Sequence, residues 1–173
     1  MITFPPFTLL SPDEPAPDGT LPIRLLPAPV EFMVTGMTVF GQGWHESTRW
    51  YLGQVADLVK PGMRVLDFGA GTGILAIAAA RMGAEVTACE IEPNAIKLCR
   101  ENCALNGVQV DVVEKVVYVD AVLDEDGYEV TAKPDGTFDL IFANIGSASD
   151  EYAVRKVLAD VLAPGGRLVL LEA

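Results

Sequence analysis

This chain has little with which to bind a metal. It carries one histidine and three cysteines, and Cys99 and Cys103 stand four apart in a stretch patterned as a helix, so buried reduced thiols are a simpler reading than a zinc site. It has no long apolar run. The longest, residues 74–80, is far short of a membrane span, and no basic segment followed by an apolar one opens the chain. It is also poor in positive charge, with 12 Lys and Arg against 24 Asp and Glu and a net charge of −12. Phosphate-backbone binding needs cations to displace counterions, so a nucleic-acid partner is not expected. These shortages point to a cytoplasmic protein with no membrane partner.

What is present fits one domain. The 173 residues are half hydrophobic, enough for one substantial core. Proline is unevenly placed, with eight of the 12 in residues 1–29. That density excludes a helix and leaves extended or edge-strand structure, for which "LPIRLL" and "VEFMV" are the candidate strands. Residues 1–36 therefore read as an arm laid over a domain spanning 37–173.

Within that domain strand and helix patterns alternate. A helix over 46–59 is followed by "RVLDF", a helix over 73–82, "EVTACE", a helix over 94–105, "VQVDVVE", "FDLIFAN", a helix over 149–162 and "RLVLLE". Apolar strands separated by such helices predict an α/β fold, with a mostly parallel sheet covered on both faces. Residues 115–137 break the rhythm; alternating valines, Asp126-Gly127 and "YEVTA" predict a hairpin or an irregular connection.

The informative stretch is "VLDFGAGTGILAIAAARMGAEVTACEIEP", residues 65–93. A strand runs into Gly69, Gly71 and Gly73, a helix follows, and a second strand ends at Glu90. In open α/β sheets a loop so placed meets ligands, because missing side chains let the backbone approach and the helix N-terminus offers free N–H groups. A dinucleotide fingerprint would need its third glycine at position 74, where Ile74 stands, and no G-x-x-x-x-G-K-[ST] occurs. The glycine loop could otherwise be only a turn, with Glu90 a solvated strand end.

An acid followed by G-x-G-x-G, as in "VLDFGAGTG", resembles the first motif of the class I S-adenosylmethionine-dependent methyltransferases. "FGQGWHEST", residues 40–48, and "DLIFANIG", residues 139–146, are similar to F-G-T-G-x-H-x-T-T and D-x-x-x-A-N-I-L of the ribosomal-protein lysine methyltransferases. Gln42 and Ser47 replace threonines, Glu46 a frequent proline and Gly146 a leucine.

The resemblance covers roughly residues 37–173 and implies a Rossmann-like fold binding S-adenosylmethionine. It implies that Asp67 meets the cofactor's ammonium and that loop amides at Gly69, Ala70, Gly71 and Gly73 meet its carboxylate. Glu90 would accept the ribose hydroxyls, Ile91 would lie on the adenine face, and Asp120 would receive the adenine amino group or be a surface carboxylate. Phe40, His45 and Thr48 would lie near the cofactor. Asn144 would be both cofactor-adjacent and catalytic, aiming the acceptor amine at the methyl carbon, unless it is a turn residue. No role is assigned to Trp44, Trp50 or Tyr51.

The implied reaction is methylation of an amino nitrogen, more naturally of a protein lysine or N-terminal amine than of a small-molecule amine. A non-catalytic or fragmentary cofactor-binding module acting through a partner is the alternative, and a nicotinamide-dependent oxidoreductase is disfavoured by Ile74. The family fold continues past the fifth strand with a helix and antiparallel strands, which this sequence does not supply. The "RLVLLE" edge is therefore expected to be covered by the N-terminal arm or by a second subunit, as a homodimer.

Overall fold

In a computed structural model, the structure describes residues 1–27, 43, 45–114, 119–120, 129–130, 134–144 and 151–170. The central sheet has the strand order β10-β9-β4-β5-β6. Its members are β4 (Arg64–Phe68), β5 (Glu85–Glu90), β6 (Asp111–Glu114), β9 (Phe138–Ala143) and β10 (Leu162–Leu170). Every pairing within it is parallel. The chain winds outward from β4 through β5 to β6, then returns to the other side of β4 for β9 and β10. A crevice between β4 and β9 follows from this reversal, at the carboxyl ends of the strands.

Period-two alternation divides the core. Val65 with Leu140 and Phe142 faces one cluster, and Leu66, Phe68, Ile141 and Ala143 face the other. The second face is covered by α4 (Glu151–Ala159), through Val154 and Leu158. The first is covered by α1 (Glu46–Leu58), α2 (Ile74–Arg81) and α3 (Pro93–Leu105). Helix α2 is buried on every side from Ile74 to Ala79. Its alanines lack the bulk that would hold neighbours away, so it packs between the sheet and further layers.

One such layer is the proline-rich segment. Its strands β1 (Ile2–Phe4), β2 (Phe7–Leu10) and β3 (Leu21–Arg24) form a separate sheet, antiparallel between β1 and β2 and parallel between β2 and β3. Phe7, Leu9 and Ile23 enter the same core cluster as α2. The extended structure expected of this segment is present, and "LPIR" is β3; "VEFMV" lies outside the described residues. The described part of the arm pairs within its own sheet and not with β10, so it is not the cover expected for that edge.

Helix limits agree with the sequence patterns to a few residues, with residues 149 and 150 outside the described ones. The last strand differs. Leu162 already pairs with Phe138, ahead of a register shift that ends at Arg167. The Pro164-Gly165-Gly166 segment thus interrupts the strand as an irregularity, whereas the sequence pattern set the strand's start after it. In the irregular connection, β7 (Val119–Asp120) pairs antiparallel with β8 (Glu129–Val130), the hairpin reading of that stretch.

Candidate cofactor and acceptor site

The glycine loop turns the chain from β4 into α2 through left-handed backbone at Gly69, Gly71 and Gly73, with φ of 74, 54 and 79°. Side chains are disfavoured there. At Gly73 there is also no room, since an added Cβ would lie 2.6 Å from Cys99 Sγ on α3.

The loop is braced by the end of β5. The Gly69 and Ala70 amides donate to the Cys89 carbonyl at 2.9 and 3.1 Å, and Gly73 N–H donates to Ala70 O at 2.8 Å. Gly71 N–H donates to Glu90 Oε2 at 2.8 Å. All four amides expected to meet the cofactor's carboxylate are thus committed within the protein. Closing a loop this tight requires its own donors to be satisfied.

Glu90 does more than end a strand. Its Oε1 accepts from Ile91 N–H at 2.7 Å and from Glu92 N–H at 3.2 Å, so the half-buried carboxylate is held by backbone on both oxygens. Ile91 beside it is 46 % exposed, an unburied apolar surface of the kind a flat aromatic ligand covers.

Asp67 is buried, and its Oδ2 accepts from Ala76 N–H in the first turn of α2 at 3.0 Å. Desolvation pushes its pKa up to about 7; the Ala76 hydrogen bond opposes that rise, and the charge of Glu90 adds to it. Glu90 therefore carries the negative charge at the loop, and Asp67 adds to it only as pH rises through about 7. A cationic ligand offsets that charge. A pyrophosphate would add to it, and would find the Gly71 amide already taken by Glu90. The residues present thus fit a sulfonium and ammonium ligand carrying a ribose better than a dinucleotide.

Asn144 comes to the same edge. Phe68 of β4 pairs with Ala143 of β9, and one step beyond this pair stand Gly69 and Asn144. Asn144 is half-buried, and no hydrogen bond among the described residues claims its carboxamide. The preceding carbonyl, Ala143 O, accepts from the Tyr51 hydroxyl at 2.7 Å.

Helix α1 carries the upstream motif. His45 is its exposed N-cap: Nδ1 accepts from Ser47 N–H at 3.3 Å and lies 2.7 Å from Ser47 Oγ, so the ring caps the start of the helix. Thr48 is fully buried, and its Oγ1 has no partner among the described residues. Such a hydroxyl is costly to leave unmatched. Gly43, at φ 82°, lies where a Cβ would strike Leu9 and approach Ile74 Cδ1 at 3.8 Å, tying the motif to both β2 and α2. Phe40 lies outside the described residues. Asp120 is on β7, past the end of the third sheet strand at Glu114 and not on that strand.

Sequence reasoning passed over Tyr51, Asn102 and Asn106. Asn102 Nδ2 donates to Thr72 O in the glycine loop at 2.9 Å, while its Oδ1 accepts from Leu26 N–H at 2.8 Å. Asn106 brackets Arg24, accepting from its N–H at 2.8 Å and donating to its carbonyl. The available signal was two asparagines four apart on the stripe that also carries Leu98, Cys99 and Cys103, where polar groups need built partners. The three cysteines are buried, and none is in a disulfide.

Residues 32–170 match the family described as Ribosomal protein L11 methyltransferase (PrmA). The protein named ribosomal protein L11 methyltransferase in Symbiobacterium thermophilum is 40 % identical over 159 residues, covering 91 % of this chain and 45 % of the relative. The Thermus thermophilus protein of that name is 34 % identical over 166 residues, covering 96 % of this chain and 57 % of the relative. This chain thus spans about half the length of these curated relatives. A crystal structure of ribosomal protein L11 methylase from Lactobacillus delbrueckii subsp. bulgaricus superposes with a TM-score of 0.68 at 26 % identity, over 94 % of this chain and 74 % of that one. A methyltransferase from Thiobacillus denitrificans, solved with S-adenosyl-L-homocysteine, shares the fold at a TM-score of 0.58 and 20 % identity, covering 83 % of this chain and 54 % of that one.

Proposed function

The chain belongs to the ribosomal protein L11 methyltransferase family, and from that premise we propose that it transfers a methyl group from S-adenosylmethionine to an amino nitrogen of a protein, a lysine or N-terminal amine. Ribosomal protein L11, for which its relatives are named, is the acceptor to test first. The observation that carries this reading is the bond from Gly71 N–H to Glu90. It sets a carboxylate at the end of β5 against the loop, where it repels phosphate and accepts from a ribose.

When bound, S-adenosylmethionine supplies an electrophilic methyl group on a sulfonium. Glu90 orients the ribose, and Ile91 gives the adenine an apolar face. Glu90 sets a negative field that favours the cationic amino-acid end, and Asp67 adds to it where it is ionised. On the acceptor side, Asn144 Oδ1 accepts an N–H of the incoming amine, turning the nitrogen lone pair toward the methyl carbon. Much of the rate gain comes from this orientation. A lysine must first lose a proton, and desolvation in the crevice lowers its pKa from about 10.4, so no dedicated base is needed. The nitrogen–carbon bond forms as the carbon–sulfur bond breaks, and the proton on the new secondary ammonium leaves to solvent.

The test is transfer of a tritium-labelled methyl from S-adenosylmethionine to purified ribosomal protein L11. Label on the acceptor, reduced about a hundredfold in Asn144→Ala, supports the reading. Tight cofactor binding with no label on L11 would favour a cofactor-binding module that works with a partner, or another acceptor. The homodimer through β10 is a second proposal: β10 has β9 as its one neighbour in the sheet among the described residues, and sedimentation velocity on the intact chain decides it.

A further inference from the structure

We propose that Tyr51 is a positioning residue for the acceptor site, holding Asn144 in place through the peptide bond that precedes it. This rests on the reading of Asn144 given above. The Tyr51 hydroxyl donates to Ala143 O at 2.7 Å, a contact that spans 92 residues of sequence. Both residues are 1 % exposed, so the bond forms without competition from water. Ala143 O and the Asn144 nitrogen belong to one planar unit. Fixing the carbonyl therefore fixes the plane from which the Asn144 side chain departs.

The need for such a tie follows from where Ala143 stands. It is the last residue of β9, with its final ladder partners Phe68 and Leu170 on either side. Beyond it no ladder partner of Asn144 stands among the described residues, and strand ends fray where the ladder stops. Tyr51 supplies a lateral bond at that end. Its own ring is locked edge-on against Phe142, 6.4 Å between centroids, and against Trp50 at 5.0 Å. A rigid phenol delivers its hydroxyl to one place. Because Tyr51 lies on α1, the helix whose first turn carries Thr48 and whose cap is His45, one helix sets the position of two parts of the site.

The experiment compares wild type, Tyr51→Phe, and Val55→Ala as a control that loosens the same helix without touching Ala143. Two readouts are taken on the full chain: the amide and carboxamide resonances of Asn144 without ligand, and steady-state methylation of ribosomal protein L11. Tyr51→Phe is expected to shift or broaden the Asn144 resonances. It should lower kcat at least tenfold while the KM for S-adenosylmethionine stays within twofold. Val55→Ala should lower the melting temperature and leave kcat nearly unchanged. Asn144 resonances unmoved by Tyr51→Phe, or a kcat loss matched by Val55→Ala, would overturn the proposal. If wild type does not methylate L11, the functional reading fails on its own, and the resonances still decide whether Tyr51 holds Asn144.

Discussion

Glu90 reaches back from the end of β5 to accept the amide of Gly71, 2.8 Å away, so the residue expected to hold a ribose is also a strut of the glycine loop. Glu90→Ala should then loosen the loop even without ligand. A hydrogen bond to a charged acceptor contributes about 1.5–3 kcal/mol, so exchange of the Gly71 amide should speed up on the order of ten- to a hundredfold. Glu90→Gln, which keeps an acceptor oxygen, should lose less protection. Amide exchange followed by NMR reads this directly.

Gly73 is constrained twice, by φ of 79° and by Cys99 Sγ lying 2.6 Å from where a Cβ would go. Gly73→Ala should cost about 1–2 kcal/mol from backbone strain, and a similar amount again from the clash. Adding Cys99→Ala should return the clash part only, because the backbone strain does not depend on Cys99. Urea denaturation of the two single variants and the double variant gives that coupling.

Asn102 and Asn106 both hold the N-terminal segment, but only Asn102 also holds the glycine loop, through Thr72 O. Alanine at either position should destabilise the chain by about 1–3 kcal/mol and speed proteolysis of the first residues. Only Asn102→Ala should also weaken binding of S-adenosylmethionine. Limited proteolysis alongside calorimetry separates the two effects.

Asp67, raised from 3.8 to about 7, gives a pH signature. Between these values the folded state keeps a proton that the unfolded state releases. Its contribution to stability is therefore full below about pH 4, falls as pH rises, and is lost above about pH 7. The total is about 4 kcal/mol at roughly 1.4 kcal/mol per pKa unit. Asp67→Asn should remove that slope, which unfolding measured at pH 5 and pH 8 in both proteins will show.

The sheet, the helices and the loop were legible because they follow from short-range rules. Near-continuous apolar runs at 65–68 and 140–143, and the alanine helix between Gly73 and Met82, carry their structure in their own composition and spacing. What the sequence did not reveal is long-range. The Tyr51 bond spans 92 residues, and no local pattern marks a hydroxyl's partner across a sheet. Asn102 and Asn106 are meaningful only once the arm lies beside α3. The loop amides looked free because a glycine motif does not state that the Cys89 carbonyl and the Glu90 carboxylate will claim them. Asp120 was read through the family pattern alone, which does not show that β6 ends at Glu114 and that Asp120 stands on the separate short strand β7.

The most direct test of the central claim is calorimetric titration of the intact chain with S-adenosylmethionine and with its demethylated product, with nicotinamide dinucleotide as the comparison. Micromolar binding of both adenosyl ligands, with none of the dinucleotide, is the expected result. Binding of the dinucleotide, or of neither adenosyl ligand by the folded chain, would contradict it.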